Sequence, residues 1–92
     1  MAKRGMTRMK FDLYSDPGHG WVKVPVNLLI TLGILHKITE YSYKRGQFTY
    51  LDEDQDLMTF VEAMKAMGRE VEYREHTSDR SSRIRRYERV SR

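Results

Sequence analysis

The chain has 92 residues, 39% of them hydrophobic and 33% charged, with a net charge of +4 and no cysteine. That length makes one domain with a thin core, burying roughly 60–65% of the surface its unfolded chain exposes. With two prolines and six glycines the composition is neither fibrous nor disordered, and the missing cysteines exclude a disulfide framework and thiolate metal sites and fit a reducing cytoplasm.

The charge is segregated. Residues 1–10 carry Lys3, Arg4, Arg8 and Lys10 and no acid, and residues 77–92 carry six arginines against Asp79 and Glu88. The stretch between them holds 7 basic and 11 acidic residues. An acidic body with basic ends suits a polyanion or an acidic protein surface; solvated, disordered tails are the plainer alternative.

In chain order, residues 1–8 read as a basic arm. No apolar run follows them, so no signal peptide is expected. The longest apolar stretch, around Val24–Leu35, is too short and interrupted to span a bilayer. Residues 9–76 read as an α+β domain. Met9–Tyr14 alternates apolar and polar positions, a half-buried strand with Met9, Phe11 and Leu13 inward. Ser15-Asp16-Pro17-Gly18 is a turn, with Gly18 expected at positive φ. Trp21–Val24 returns as a second strand, Val22 and Val24 inward.

Pro25 can open a short apolar helix that Gly33 stops. Tyr41-Ser42-Tyr43 and Phe48-Thr49-Tyr50 flank Lys44-Arg45-Gly46-Gln47 as a second hairpin. Asp52 is expected as a helix N-cap, with Gln55 completing a capping box. Leu57, Phe60, Val61, Met64 and Met67 then share one helical face, and Gly68 closes the helix. Glu70–Arg74 is a last strand with Val71 and Tyr73 inward. The order ββαββαβ predicts a single domain with a mostly antiparallel sheet, two helices on one face and the other face open. Residues 77–92 form a basic, Arg-rich segment: residues 77–82 read as loop, and residues 83–90 as either a short edge strand, with Arg83, Arg85 and Tyr87 on one face, or a disordered arm.

Asp16, His19 and Trp21 lie within six residues of a glycine-framed loop. One reading is an acid–base pair, Asp16 orienting His19, but no motif supplies a nucleophile or a polarised substrate. A structured turn and a binding loop are the alternatives. Gly18-His19-Gly20 lacks the later glycine and the Gly-Lys-Ser/Thr of phosphate loops. Asp52, Asp54 and Asp56 are spaced like the start of a calcium loop. That loop needs Gly and Glu where Leu57 and Ala63 stand, so the acids read as complements to a helix dipole. The three histidines, His19, His36 and His76, show no zinc spacing.

The aromatic residues support two readings. Tyr14, Trp21, Tyr41, Tyr43 and Tyr50 cluster on the strands; on an open face, with Lys10, Lys23, Lys44 and Arg45 as phosphate contacts, they make a stacking platform for single-stranded nucleic acid. Alternatively the rings pack across strands under the C-terminal segment. Arg80, Arg83, Arg85 and Arg86 form the densest basic run, suited to phosphates and carboxylates.

The stretches Asp12–Trp21, Ile38–Tyr43 and Tyr50–Asp54 carry a resemblance. With its S-D-P-G-H-G-W loop, Y-S-Y segment and acidic helix start, the chain resembles a family of small uncharacterised proteins of short-tailed lytic phages and some mobile elements. The resemblance runs from about Phe11 to Tyr87. It implies a context, a small accessory protein made in an infected bacterium, and no catalytic residue. The expectation is a cytoplasmic, non-enzymatic binder of nucleic acid, without membrane or small-molecule cofactor. The rivals are a modulator of a host enzyme anchored by the Asp16–Trp21 loop, and an enzyme built on Asp16 and His19.

Overall fold

A computed structural model describes residues 7–90. The expected Lys3, Arg4 and Arg92 lie outside these residues. The chain forms β1 (Thr7–Asp16), β2 (His19–Pro25), α1 (Val26–Thr31), β3 (Tyr43–Arg45), β4 (Phe48–Asp52), α2 (Leu57–Ala66) and β5 (Arg69–Thr77). A 3₁₀ turn at Arg83–Arg86 and a two-residue strand β6 (Glu88–Arg89) follow. The α+β class and the ββαββαβ order are as the periodicities predict. Arg8, expected in the arm, already belongs to β1.

The six strands form one mixed sheet in the order β5-β1-β2-β4-β3-β6. β1–β2, β2–β4, β3–β4 and β3–β6 are antiparallel. β5 departs from the antiparallel expectation: it returns beside β1 in parallel, with Met9 opposite Val71 and Phe11 opposite Tyr73. The reason is topological: α2 crosses the sheet and delivers β5 in the same direction as β1, as a strand–crossover–strand connection requires.

Both helices cover one face. Phe11, Val22, Val24 and Leu51 from the strands pack with Leu29, Phe60 and Met64 from the helices, and Phe11 and Phe60 meet edge to face with centroids 5.1 Å apart. Met67, expected inward, is 56% exposed, because Gly68 at φ 75° turns the chain out of the helix there.

The opposite face is not open, which corrects the sequence-based expectation. Residues 78–90 run from the β5 edge across it to the β3 edge. They form a strap that plants Ile84, 3% exposed, among Trp21, Tyr43 and Tyr50. Ser42 O accepts from Val90 N at the far side. Of the expected edge strand only Glu88–Arg89 forms, and residues 83–86 are a 3₁₀ turn, so Arg83 and Arg85 do not share a strand face.

Two local expectations also change. Gly18 does not adopt a positive φ. Instead the Asp16 carboxylate accepts from Gly18 N (3.0 Å) and His19 N (3.1 Å) and shapes the turn itself. A Cβ at position 18 would stand 2.8 Å from Arg85 Nη2, so the glycine makes room for the strap. Likewise Asp52 caps a turn that precedes α2, accepting from Asp54 N and Gln55 N. Its own N–H donates to Ser42 Oγ, not to Gln55, and α2 begins at Leu57.

Candidate nucleic-acid interface

Asp16 is the fastening point of the strap. Its side chain is 1% exposed and accepts from Arg85 Nε at 2.7 Å, Arg85 Nη2 at 2.9 Å and Ser82 N at 2.8 Å. The Arg85 hydrogen bonds hold this carboxyl well below the usual carboxylate range, against the opposing cost of burial, and Arg85 is pushed up in turn. Arg85 also lies 5.1 Å over the Trp21 ring.

The expected Asp16–His19 dyad is not assembled. Asp16 gives its oxygens to Arg85 and backbone N–H groups, whereas the His19 imidazole reaches across to Asp52, with Asp54 Oδ2 3.6 Å from Nδ1. Trp21 is 2% exposed and Tyr43 7%, so neither is a surface platform, and Trp21 offers no indole to a partner. The C-terminal segment covers them, as in the second of the two readings of the aromatic residues. Trp21 Nε1 is enclosed without a hydrogen-bond partner among the described residues. Tyr41, 54% exposed, stands outside the sheet. With His19, Trp21 and Tyr43 it borders a small cleft of about 210 Å³.

His19, Glu53 and Asp54 bring one ligand atom each within 4.8 Å of one another. Glu53 and Asp54 are exposed, as on any solvated acidic turn. Asp52, Asp54 and Asp56 do not converge: Asp56 turns instead to Thr39 and Ser42.

The strap leaves a groove of about 750 Å³ between itself and the sheet. Lys23, Arg80, Arg83 and Arg86 line it together with Tyr14, Tyr50, Tyr87 and three serines, and among the described residues no acid contributes. Among the described residues, none of these four cations stands within ion-pair distance of a carboxylate. Lys23 rests over the Phe48 ring at 4.2 Å. Tyr50 and Tyr87 lie 5.0 Å apart, Tyr14 and Tyr50 6.4 Å. Burial pushes the Tyr50 hydroxyl up to about 12 and raises Tyr14, so both stay neutral donors among the cations.

Three of the four candidate arginines, Arg80, Arg83 and Arg86, thus gather at one groove, and Arg85 is spent on the fold. Arg45 lies outside that lining, 5.1 Å over the Tyr87 ring, and Lys44 sits 4.0 Å from Glu88. The sequence already offered Lys23 as a phosphate contact and Tyr14 and Tyr50 as members of the aromatic face, and it missed Tyr87 as a groove residue. Lys23 carried a usable signal, because its alternation with Val22 and Val24 placed it on the face away from the helices. A larger groove of about 800 Å³ beside α1 is lined largely by apolar side chains, Ile30, Leu35 and Ile38 among them, together with His36 and Lys44. It offers little to a polyanion.

The fold and groove thus define a small α+β domain with a strapped cationic cleft. Comparison with protein-family models, curated proteins and solved structures finds no match. Among the described residues, no helix is long and apolar enough to cross a membrane.

Proposed function

We propose that this is a non-enzymatic accessory protein of the phage type, working in the bacterial cytoplasm and binding single-stranded nucleic acid along the strapped groove. The observation that supports this reading is the lining: among the described residues, four cations without carboxylate partners, no acid, and tyrosine rings between them. Arginine forks suit phosphate oxygens, and the half-buried Tyr14 and Tyr87 accept unstacked bases over the buried Tyr50. A duplex presents its bases already stacked, so the single strand is the better occupant.

The test is fluorescence anisotropy with a labelled oligothymidine across a salt series. Each phosphate contact on a single strand contributes a slope of about −0.7 in log affinity against log salt, so four contacts give roughly −3. The Arg80→Gln, Arg83→Gln, Arg86→Gln triple variant leaves the Asp16–Arg85 fastening intact and is expected to reduce the slope to about −0.7. Binding that ignores salt, or that the triple variant leaves unchanged, sinks the reading.

A further inference from the structure

We propose that β5 is a homodimerisation edge, on which a second copy of this chain pairs antiparallel about a two-fold axis through Tyr73. β5 is nine residues long and stands at the end of the sheet, with no described strand on its outer side. Gly68 O accepts from Thr7 N and Ser78 N donates to Ser15 O, so the even-numbered positions bond towards β1. The odd positions Arg69, Val71, Tyr73, Glu75 and Thr77 therefore turn their N–H and C=O groups outward, a template for one more strand.

The side chains select the partner. The even positions place Glu70 and Glu72 in the first half of β5 and Arg74 and His76 in the second, all on one face. Arg8 Nε lies 3.6 Å from both glutamates, and Asp12 accepts from both Arg74 and His76. A strand with an acidic half and a basic half is complementary to its own antiparallel copy. Centring on Tyr73 puts Glu72 opposite Arg74 of the second copy and Glu70 opposite His76, each twice. These fall at non-hydrogen-bonded positions, where side chains approach most closely.

Shifting the axis by one residue sets Glu72 against Glu72 or Arg74 against Arg74. Moving it by two residues sets Glu70 against Glu72 or Arg74 against His76. The Tyr73 register alone brings no like charges together. The axis runs perpendicular to the sheet, so both grooves open on the same side of a doubled sheet.

Sedimentation velocity over a concentration series is expected to show a reversible monomer–dimer equilibrium. Glu72→Lys turns two attractive pairs into repulsive ones and is expected to weaken the dimer at least about ten-fold, with unchanged circular dichroism. The Arg80/Arg83/Arg86 triple variant dimerises like the native chain.

The chain has no cysteine, so engineered thiols report the register directly. Residues 70 and 76 of opposite copies come within about 4.5 Å at Cα, inside disulfide range, whereas two copies of residue 70 stand roughly 20 Å apart. Mixing Glu70→Cys with His76→Cys under mild oxidation is expected to cross-link, and Glu70→Cys alone is not. A monomer at every concentration overturns the proposal. So does a dimer indifferent to Glu72→Lys, a cross-link in Glu70→Cys alone, or none in the mixture.

Discussion

Replacing Asp16 with alanine is expected to release the strap and cost about 2–4 kcal/mol of stability. The carboxylate accepts five hydrogen bonds, three of them from backbone N–H groups of the turn and the strap. The ion-pair share is the smaller part, because the Arg85 side chain is 40% exposed and rehydrates when its partner is gone. For a chain of this size the loss lowers Tm by roughly 10–25 °C. Trp21 is the single tryptophan, lying beneath the strap and beside Arg85, so its fluorescence reads the event directly. The variant should show red-shifted, iodide-quenchable emission before far-UV circular dichroism is lost.

The same group sets an acid dependence. Asp16 is held well below the ordinary carboxylate range when folded, so the unfolded chain binds its proton more readily. Its stabilisation is complete above the unfolded value of about 4 and is lost as the pH falls below it towards the folded value. Denaturation curves from pH 6 to pH 2 should drop more steeply for the native chain than for Asp16→Ala. Parallel curves, or an unmoved Trp21 spectrum, would show that the strap is fastened elsewhere.

The second large effect belongs to Asp56. It is 1% exposed and holds the loop before β3 against the start of α2. Thr39 N donates to its carboxylate at 3.1 Å and Thr39 Oγ1 at 2.8 Å, and Ser42 Oγ donates to it as well. Asp56→Ala leaves the Thr39 N–H and the fully buried Ser42 hydroxyl without their acceptor. The expected loss is about 3 kcal/mol, read as a lower urea midpoint with an unchanged slope. Asp56→Asn, which keeps an acceptor oxygen, should recover part of it. A midpoint shift worth less than about 1 kcal/mol would mean that water replaces the carboxylate there.

What the sequence disclosed and what it hid divide by range. Alternation of Met9, Phe11 and Leu13, and helical spacing of Phe60 and Met64, are local signals of burial, and they located the core and the helix-bearing face. The glycines at positions 33, 46 and 68 marked chain reversals for the same local reason. The partners of Asp16 and His19 are set by closures of 69 and 33 residues, which no short spacing encodes. The parallel return of β5 belongs to that class too.

Composition left the strap only as an alternative: a run of arginines reads as solvated, and its two aliphatic members, Ile84 and Val90, are what pack it down. Lys44 and Arg45 lie on the hairpin the sequence indicated but outside the groove lining. The groove cations were visible as residues, and their convergence was not.

The crossing of residues 78–90 over the whole sheet also orders events during synthesis. Trp21, Tyr43 and Tyr50 leave the ribosome long before the segment that encloses them, and β1 waits for β5. Such distant pairings form late and slowly. A nascent chain interrupted before Ser78 would present an uncovered aromatic surface to chaperones and proteases. Emergence of residues 78–90, rather than of any earlier hairpin, is then the step at which the aromatic face is closed against aggregation.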